Sequence, residues 1–253
     1  MTRRRFYAPP SAFTSNPERV TLASDEAHHL REVLRLTPGE EAYVFDGQGK
    51  EFHCRVEESR RDSAGLTIIA EVDPTRPESP LQLTLAIALL KGEKFDLVVQ
   101  KVTELGVTRV LPVVTKLADV RFRHESDVTK RIARWQRIAL EAAKQSGRAL
   151  VPEIANPIAF ESLIQTTGSQ TESRLMFSER DGQSLLEAKQ TLPPNSHSLT
   201  ALVGSEGGWT DDEIAIAVRA GWAIVTLGGR TLRAETAAIT IAVLLQHLYG
   251  DLR

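Results

Sequence analysis

The sequence predicts an α/β chain of two domains, a small β-rich one followed by an open parallel sheet with helices on both faces. Three observations carry that prediction. After residue 81, strand-like apolar runs alternate with helix-period segments, as in βα units. Before residue 73, the apolar stretches are short and broken by glycine turns. Between them, Asp73-Pro-Thr-Arg-Pro-Glu-Ser-Pro80 places prolines at 74, 77 and 80, which prohibits helix and disfavours paired strand. The expected division is a domain over 1–73, a linker over 74–80 and a domain over 81–253. A length of 253 residues suits one to two domains of about 150 residues.

In the first domain, strands are expected over 41–46, 51–56 and 65–72, separated by Gly47-Gln-Gly49 and Asp62-Ser-Ala-Gly65. One helix interrupts them over 26–36, opened by Ser24 or Asp25 and stopped by Pro38-Gly39. The second domain opens with a continuous apolar run over 83–90, the mark of a strand buried on both faces. Phe95, Val98, Val99, Val102 and Leu105 then recur at helical spacing, with Gly106 placed to cap the end. A strand follows over 110–114. The next helix, 129–146, puts Ile132, Trp135, Ala139 and Ala142 on one face and Lys130, Arg134, Arg137 and Lys144 on the other. Further strands are expected over 175–177, 199–203 and 223–227, and helices near 184–189, 211–220 and 234–249.

Composition narrows the function. Hydrophobic residues at 42% and charged residues at 25% exclude a disordered or collagenous chain. The longest apolar runs, 83–90 and 237–245, fall short of the roughly 20 residues of a bilayer span. Arg3, Arg4 and Arg5 lead into Phe6-Tyr7-Ala8-Pro9-Pro10 and not into a secretory core, so a cytoplasmic protein is expected. Cys54 is the lone cysteine; it is expected to be a buried, inert thiol, and no metal-site spacing occurs. The net charge of −2 argues against a polyanionic partner, but its distribution does not. Between residues 109 and 148 ten Lys/Arg face four acids, an excess of six, which is what phosphate binding needs.

Two glycine turns close strands on the expected ligand side of the sheet. Val203-Gly-Ser-Glu-Gly-Gly-Trp-Thr210 enters a helix through Thr210-Asp-Asp-Glu213, a capping box. Leu227-Gly-Gly-Arg-Thr-Leu-Arg-Ala-Glu-Thr236 enters the last helix. Either alone reads as an ordinary tight turn. Together, on strands taken as adjacent, they suggest a nucleotide-like pocket in which backbone groups read the ligand. Walker-type phosphate loops, the full G-x-G-x-x-G fingerprint, G-x-S-x-G elbows and H-E-x-x-H motifs are all missing from the sequence. A small adenosine-containing ligand held by backbone is what remains.

These residues resemble the ribosomal RNA small subunit methyltransferase E family. In the first domain the resemblance rests on Arg5-Phe6-Tyr7, His29, Val33-Leu34-Arg35, Gly39 and Phe45-Asp-Gly-Gln-Gly49. In the second it rests on Lys91, Lys94, Lys101-Val-Thr-Glu-Leu-Gly-Val107, Glu141-Ala-Ala-Lys-Gln-Ser-Gly-Arg148, Gly204-Ser-Glu-Gly-Gly208 and, most specifically, residues 227–237. The resemblance implies an N-terminal PUA-like β-barrel, a SPOUT α/β domain with a parallel sheet and a trefoil knot, and a homodimer paired through the knotted domain. It implies S-adenosylmethionine as cofactor, no metal, and methylation at N3 of a uridine in 16S rRNA of the small ribosomal subunit. Carried onto this chain, the cofactor site comprises Val203, Gly204, Ser205, Glu206, Gly207, Leu227, Gly228, Leu232, Arg233 and Ala234. Ser205 stands where the family usually has proline, which leaves the turn less restricted and suggests an altered affinity.

For the chemistry, Arg233 is expected to stabilise charge on the uridine oxygens, and Glu206 or Glu235 to accept the N3 proton. Glu235 in a helix's first turn and Glu206 in a loop could equally be structural. Arg5, Lys91, Lys94, Arg121, Arg123, Arg134, Arg137 and Arg148 are the candidate RNA contacts, while Trp209, His28 and His29 are read as packing residues. The rival reading is a non-catalytic RNA-binding or ribosome-assembly factor that kept the fold. A knotted tRNA methyltransferase is disfavoured by the domain order.

Overall fold

The structure, a computed structural model, describes residues 3–15, 18–122, 124–166, 172–180, 182–191 and 197–252. The chain forms two compact units, one of Met1–Glu78 with Leu140–Val151, the other of Ser79–Ala139 with Pro152–Arg253. The proline-rich segment thus hands over at Glu78 and Ser79, and residues 140–151, expected in the second domain, pack with the first unit.

The first unit is one mixed sheet of β1 (Arg5–Tyr7), β2 (Phe13–Ser15), β3 (Glu18–Leu22), β4 (Glu41–Phe45), β5 (Glu51–Ser59) and β6 (Ala64–Val72), in the order β1-β4-β5-β6-β3-β2. Only the β1–β4 pairing is parallel. Alternation on the strands buries Val20, Leu22, Ala42, Val44, Cys54, Val56 and Leu66 on one face, where they meet Phe6 and Leu30. The expected helix is shorter than its pattern. α1 (Ser24–His28) gives way to a π-helical turn over His29–Val33.

The second unit is an all-parallel sheet of β7 (Gln82–Ala88), β8 (Arg109–Val114), β9 (Glu153–Ile154), β10 (Ile158–Ala159), β11 (Glu172–Phe177), β12 (Gln183–Ser184), β13 (Ser198–Val203) and β14 (Ala223–Thr226). Its order is β10-β8-β7-β13-β11-β14-β12, with β9 also on β8. Leu83, Leu85, Ala86, Ile87 and Ala88 are all fully buried, as the apolar run over 83–90 requires. The helices are α2 (Lys94–Glu104), α3 (Glu125–Ser146), α4 (Phe160–Gln165), α5 (Leu185–Thr191), α6 (Asp211–Arg219) and α7 (Ala234–Tyr249). α3 begins at Glu125, four residues before the expected start at 129, and Trp135, Ala139 and Ala142 on its apolar stripe are buried. Among the described residues no helix is long and apolar enough to cross a membrane.

One expectation fails in a way that matters for the site. β13 and β14, taken from the sequence as adjacent, are separated by β11, which pairs with both. Parallel sheets need not follow chain order, and nothing in the local pattern of either strand reports its neighbour.

Candidate functional site

β13, β11 and β14 end side by side, and the segments leaving them enclose a cavity of about 490 Å³, within the range of about 300–1,000 Å³ typical of small-molecule sites. The first turn forms one wall with Val203, Gly204, Ser205, Glu206 and Gly207; the second forms the other with Leu227, Gly228, Leu232, Arg233 and Ala234. All ten residues named from the sequence thus line one hollow. The sequence did not point to Phe177, Ser178 and Glu179, which follow from β11 as a third side. Their strand was legible, its place between the other two was not.

Local bonds hold each wall. Ser205 and Gly208 pair as a one-residue bridge, with the Gly208 N–H donating to the Ser205 carbonyl at 3.0 Å and Gly208 at φ +67°. Only glycine takes that conformation without strain. The buried Ser205 hydroxyl accepts a longer bond, 3.4 Å, from the Gly207 N–H, so a side chain ties the turn that proline would have stiffened. Trp209 is 3% exposed, and its indole N–H donates to the Phe177 carbonyl at 2.8 Å, fastening the first turn to the end of β11. It packs at a tilt against Phe160 and is a core residue, as expected. The turn then enters α6 through the capping box: Thr210 Oγ1 accepts from the Glu213 N–H at 3.2 Å, and Glu213 Oε2 accepts from the Thr210 N–H at 2.9 Å. Glu213 is fully buried and its other oxygen accepts from the Lys116 N–H at 3.0 Å, which pins the segment after β8 to the same turn. The second wall turns at Gly228 and Gly229, with φ of +68° and +71°, and reaches α7 at Arg233, its N-cap residue.

Of the three residues nominated for chemistry, Glu206 and Arg233 line this cavity; Glu235 lies beside it in the first turn of α7, joined to Glu206 through Lys94. The Lys94 ammonium donates to Glu206 at 2.8 Å and stands 3.7 Å from Glu235. Burial pushes the Glu206 carboxyl up, but the Lys94 hydrogen bond and charge outweigh it and hold the group below its ordinary value. The same bond raises Lys94. Glu235 Oε2 is buried and has no hydrogen-bond partner among the described residues. Arg233 is exposed at the rim.

The candidate RNA contacts divide by their partners. Arg5 and Arg148 have other work. Arg5 is 9% exposed and grips the fully buried Glu51 at 2.9 Å; Arg148 is 6% exposed and grips Glu78 at 2.7 Å. Both are internal ties of the first unit; the buried Glu51 in particular would be left a poorly compensated charge without Arg5. Lys91 pairs with Asp119 at 2.7 Å and Arg134 with Asp96 at 2.5 Å, both with exposed cations that a phosphate could share. Arg121 donates to the carbonyls of Lys116, Ala118 and Val120 in its own loop. Arg137 is exposed with no ion pair among the described residues, and Arg123 lies outside those residues.

Comparison with known proteins agrees with this geometry. The family model described as RNA methyltransferase domain matches residues 77–246, and that described as RNA methyltransferase PUA domain matches residues 22–69. A ribosomal RNA small subunit methyltransferase E from Synechocystis is 36% identical over 220 residues, 86% of this chain and 69% of the relative. The crystal structure of the protein of that name from Neisseria gonorrhoeae, bound to S-adenosyl methionine, is 34% identical, has a TM-score of 0.86 and covers 100% of both chains. A methyltransferase from Legionella pneumophila, solved in complex with SAM, is 29% identical at the same TM-score and coverage. With its N-terminal PUA-like unit and C-terminal parallel sheet, this chain belongs to the ribosomal RNA small subunit methyltransferase E family of RNA methyltransferases.

Proposed function

We propose that this chain uses S-adenosylmethionine to methylate N3 of a uridine in 16S rRNA. The observation that carries the reading is the convergence of the two glycine turns and the end of β11 on one cavity at the carboxyl edge of the sheet. The donor set suits the cofactor. Backbone at Gly204, Gly207, Gly228 and Gly229 leaves room for close approach to an adenine edge, and Glu179 and Glu206 line the hollow with the negative charge that complements a sulfonium and an amino group. When bound, S-adenosylmethionine supplies an electrophilic methyl group, so the protein's task is alignment.

The chain must also remove the weakly acidic N3 proton. Glu206 accepts the Lys94 hydrogen bond, whereas Glu235, 3.7 Å from the same ammonium, has an oxygen without a hydrogen-bond partner among the described residues, which favours Glu235 as the proton acceptor. Arg233 at the rim can stabilise the charge that develops on the uridine oxygens. Glu235→Gln should then reduce the rate about 10²–10⁴-fold, the usual contribution of a positioned base. The trefoil knot and the cytoplasmic setting implied by the family belong to the same reading. Mass mapping of methylated uridines in 16S rRNA, from a strain lacking the gene and from that strain complemented, tests it. Loss and recovery of one N3-methyluridine is the expected result, and persistence of the modification without the gene contradicts it.

A further inference from the structure

Three segments of the second unit meet at one ammonium. The first turn brings Glu206, the start of α7 brings Glu235, and the first residue of α2 brings Lys94, 2.8 Å from one carboxylate and 3.7 Å from the other. The lysine is itself held in place from below. Asp96, two residues on, accepts from the Trp135 indole N–H at 2.9 Å and from Arg134 at 2.8 Å, and Phe95 stacks on Trp135 with ring centres 4.1 Å apart. α2 also packs against α7, the helix that carries Glu235. A cation placed between two carboxylates from separate segments offsets the repulsion they would otherwise exert on each other.

We propose that Lys94 is the positioning residue of the transfer site, holding Glu206 and Glu235 together beside the cavity and, by taking its hydrogen bond to Glu206, leaving Glu235 to take the uridine N3 proton. The inference rests on the methyltransferase reading above. In the step it serves, the proton moves from N3 to the Glu235 carboxylate while N3 gains the methyl carbon and the carbon–sulfur bond of the donor breaks, its electrons staying on sulfur. Lys94 exchanges no proton; it acts through the two glutamates. Other charges face the group from every side. Lys91, whose backbone N–H also bonds Glu206, is paired to Asp119; Arg121 acts on Asp119; Arg233 opposes Lys94 from the second wall. Lys94 is the one among them that touches Glu206 with its side chain.

The test needs a readout in the protein without cofactor and one in the reaction. Glutamate side chains labelled with carbon-13 are titrated by NMR in the intact chain, with Glu206 assigned by its loss in Glu206→Gln. In the parent protein Glu206 titrates below the ordinary glutamate range; in Lys94→Met it moves up toward that range, and Lys94→Arg returns it downward. In methyl transfer to small ribosomal subunits, Lys94→Met moves the acidic limb of the pH–rate profile to higher pH, and Lys94→Arg restores it. Equal Glu206 titration in the parent and Lys94→Met, or an acidic limb that stays in place, overturns the proposal. Should the parent protein transfer no methyl group at all, the enzymatic reading fails instead, and the NMR titration still decides whether Lys94 governs the carboxylate pair.

Discussion

Gly207 has room for a hydrogen and nothing larger. A Cβ there would stand 2.9 Å from both the Cβ and the carbonyl oxygen of Leu117, and a backbone oxygen cannot step aside as a side chain can. Gly207→Ala should therefore shift the first turn and weaken S-adenosylmethionine about tenfold or more, some 1.4 kcal/mol, as read by calorimetry, with the fold retained by circular dichroism. Cys54 gives a second check at this scale. It is fully buried, and burial pushes its thiol up to about 12, so the thiolate that would react is suppressed near neutral pH. A thiol reagent should label the folded chain negligibly and the unfolded chain fully; rapid labelling of the native protein would show that the first unit opens. The partners that sequence reasoning missed share one cause. Arg5 and Arg148 counted as basic charge, but Glu51 and Glu78 consume them from 46 and 70 positions away. Lys94 counted as a phosphate contact, but Glu206 meets it across 112 positions. Charge is local information; a partner is not.

At the scale of elements, α6 and the turn that feeds it form one fastening. The capping box was legible as Thr210-Asp-Asp-Glu213, since its four positions lie within one helical turn. Its second duty, the Glu213 bond to Lys116, joins segments 97 residues apart and was not. Replacing this fully buried carboxylate removes three acceptor bonds and leaves donors stranded. Glu213→Ala should destabilise the chain by about 2–3 kcal/mol, measured as a lower urea midpoint at unchanged slope. A midpoint within error of the parent would show that the fastening is slack. β7, β13, α2 and α7 were readable because long apolar runs and helical stripes signal their own burial. β2, β9, β10 and β12, of two or three residues each, carry too few side chains to establish a period, and exist because longer neighbours offer them an edge.

For the whole molecule, the decisive fact is the strand order, which sets β11 between the two glycine-bearing strands and makes the cavity three-sided. No periodicity records that order; it follows from how the chain crosses over itself. Leu97 on α2 and Val243 on α7, helices that pack together, stay 42% and 38% exposed, apolar surface that a second copy would cover. The homodimer implied by the family should appear as twice the chain mass in light scattering at micromolar concentration. A monomer mass, or dimers undisturbed by Leu97→Glu with Val243→Glu, would remove that face from the interface. The central claim is that the turns after β13 and β14 cradle one adenosyl sulfonium cofactor. Isothermal titration of the intact chain with S-adenosylmethionine tests it most directly. Saturable heat with one site per chain, weakened by Gly207→Ala, is the predicted result; no heat at millimolar cofactor, or binding indifferent to Gly207, would contradict it.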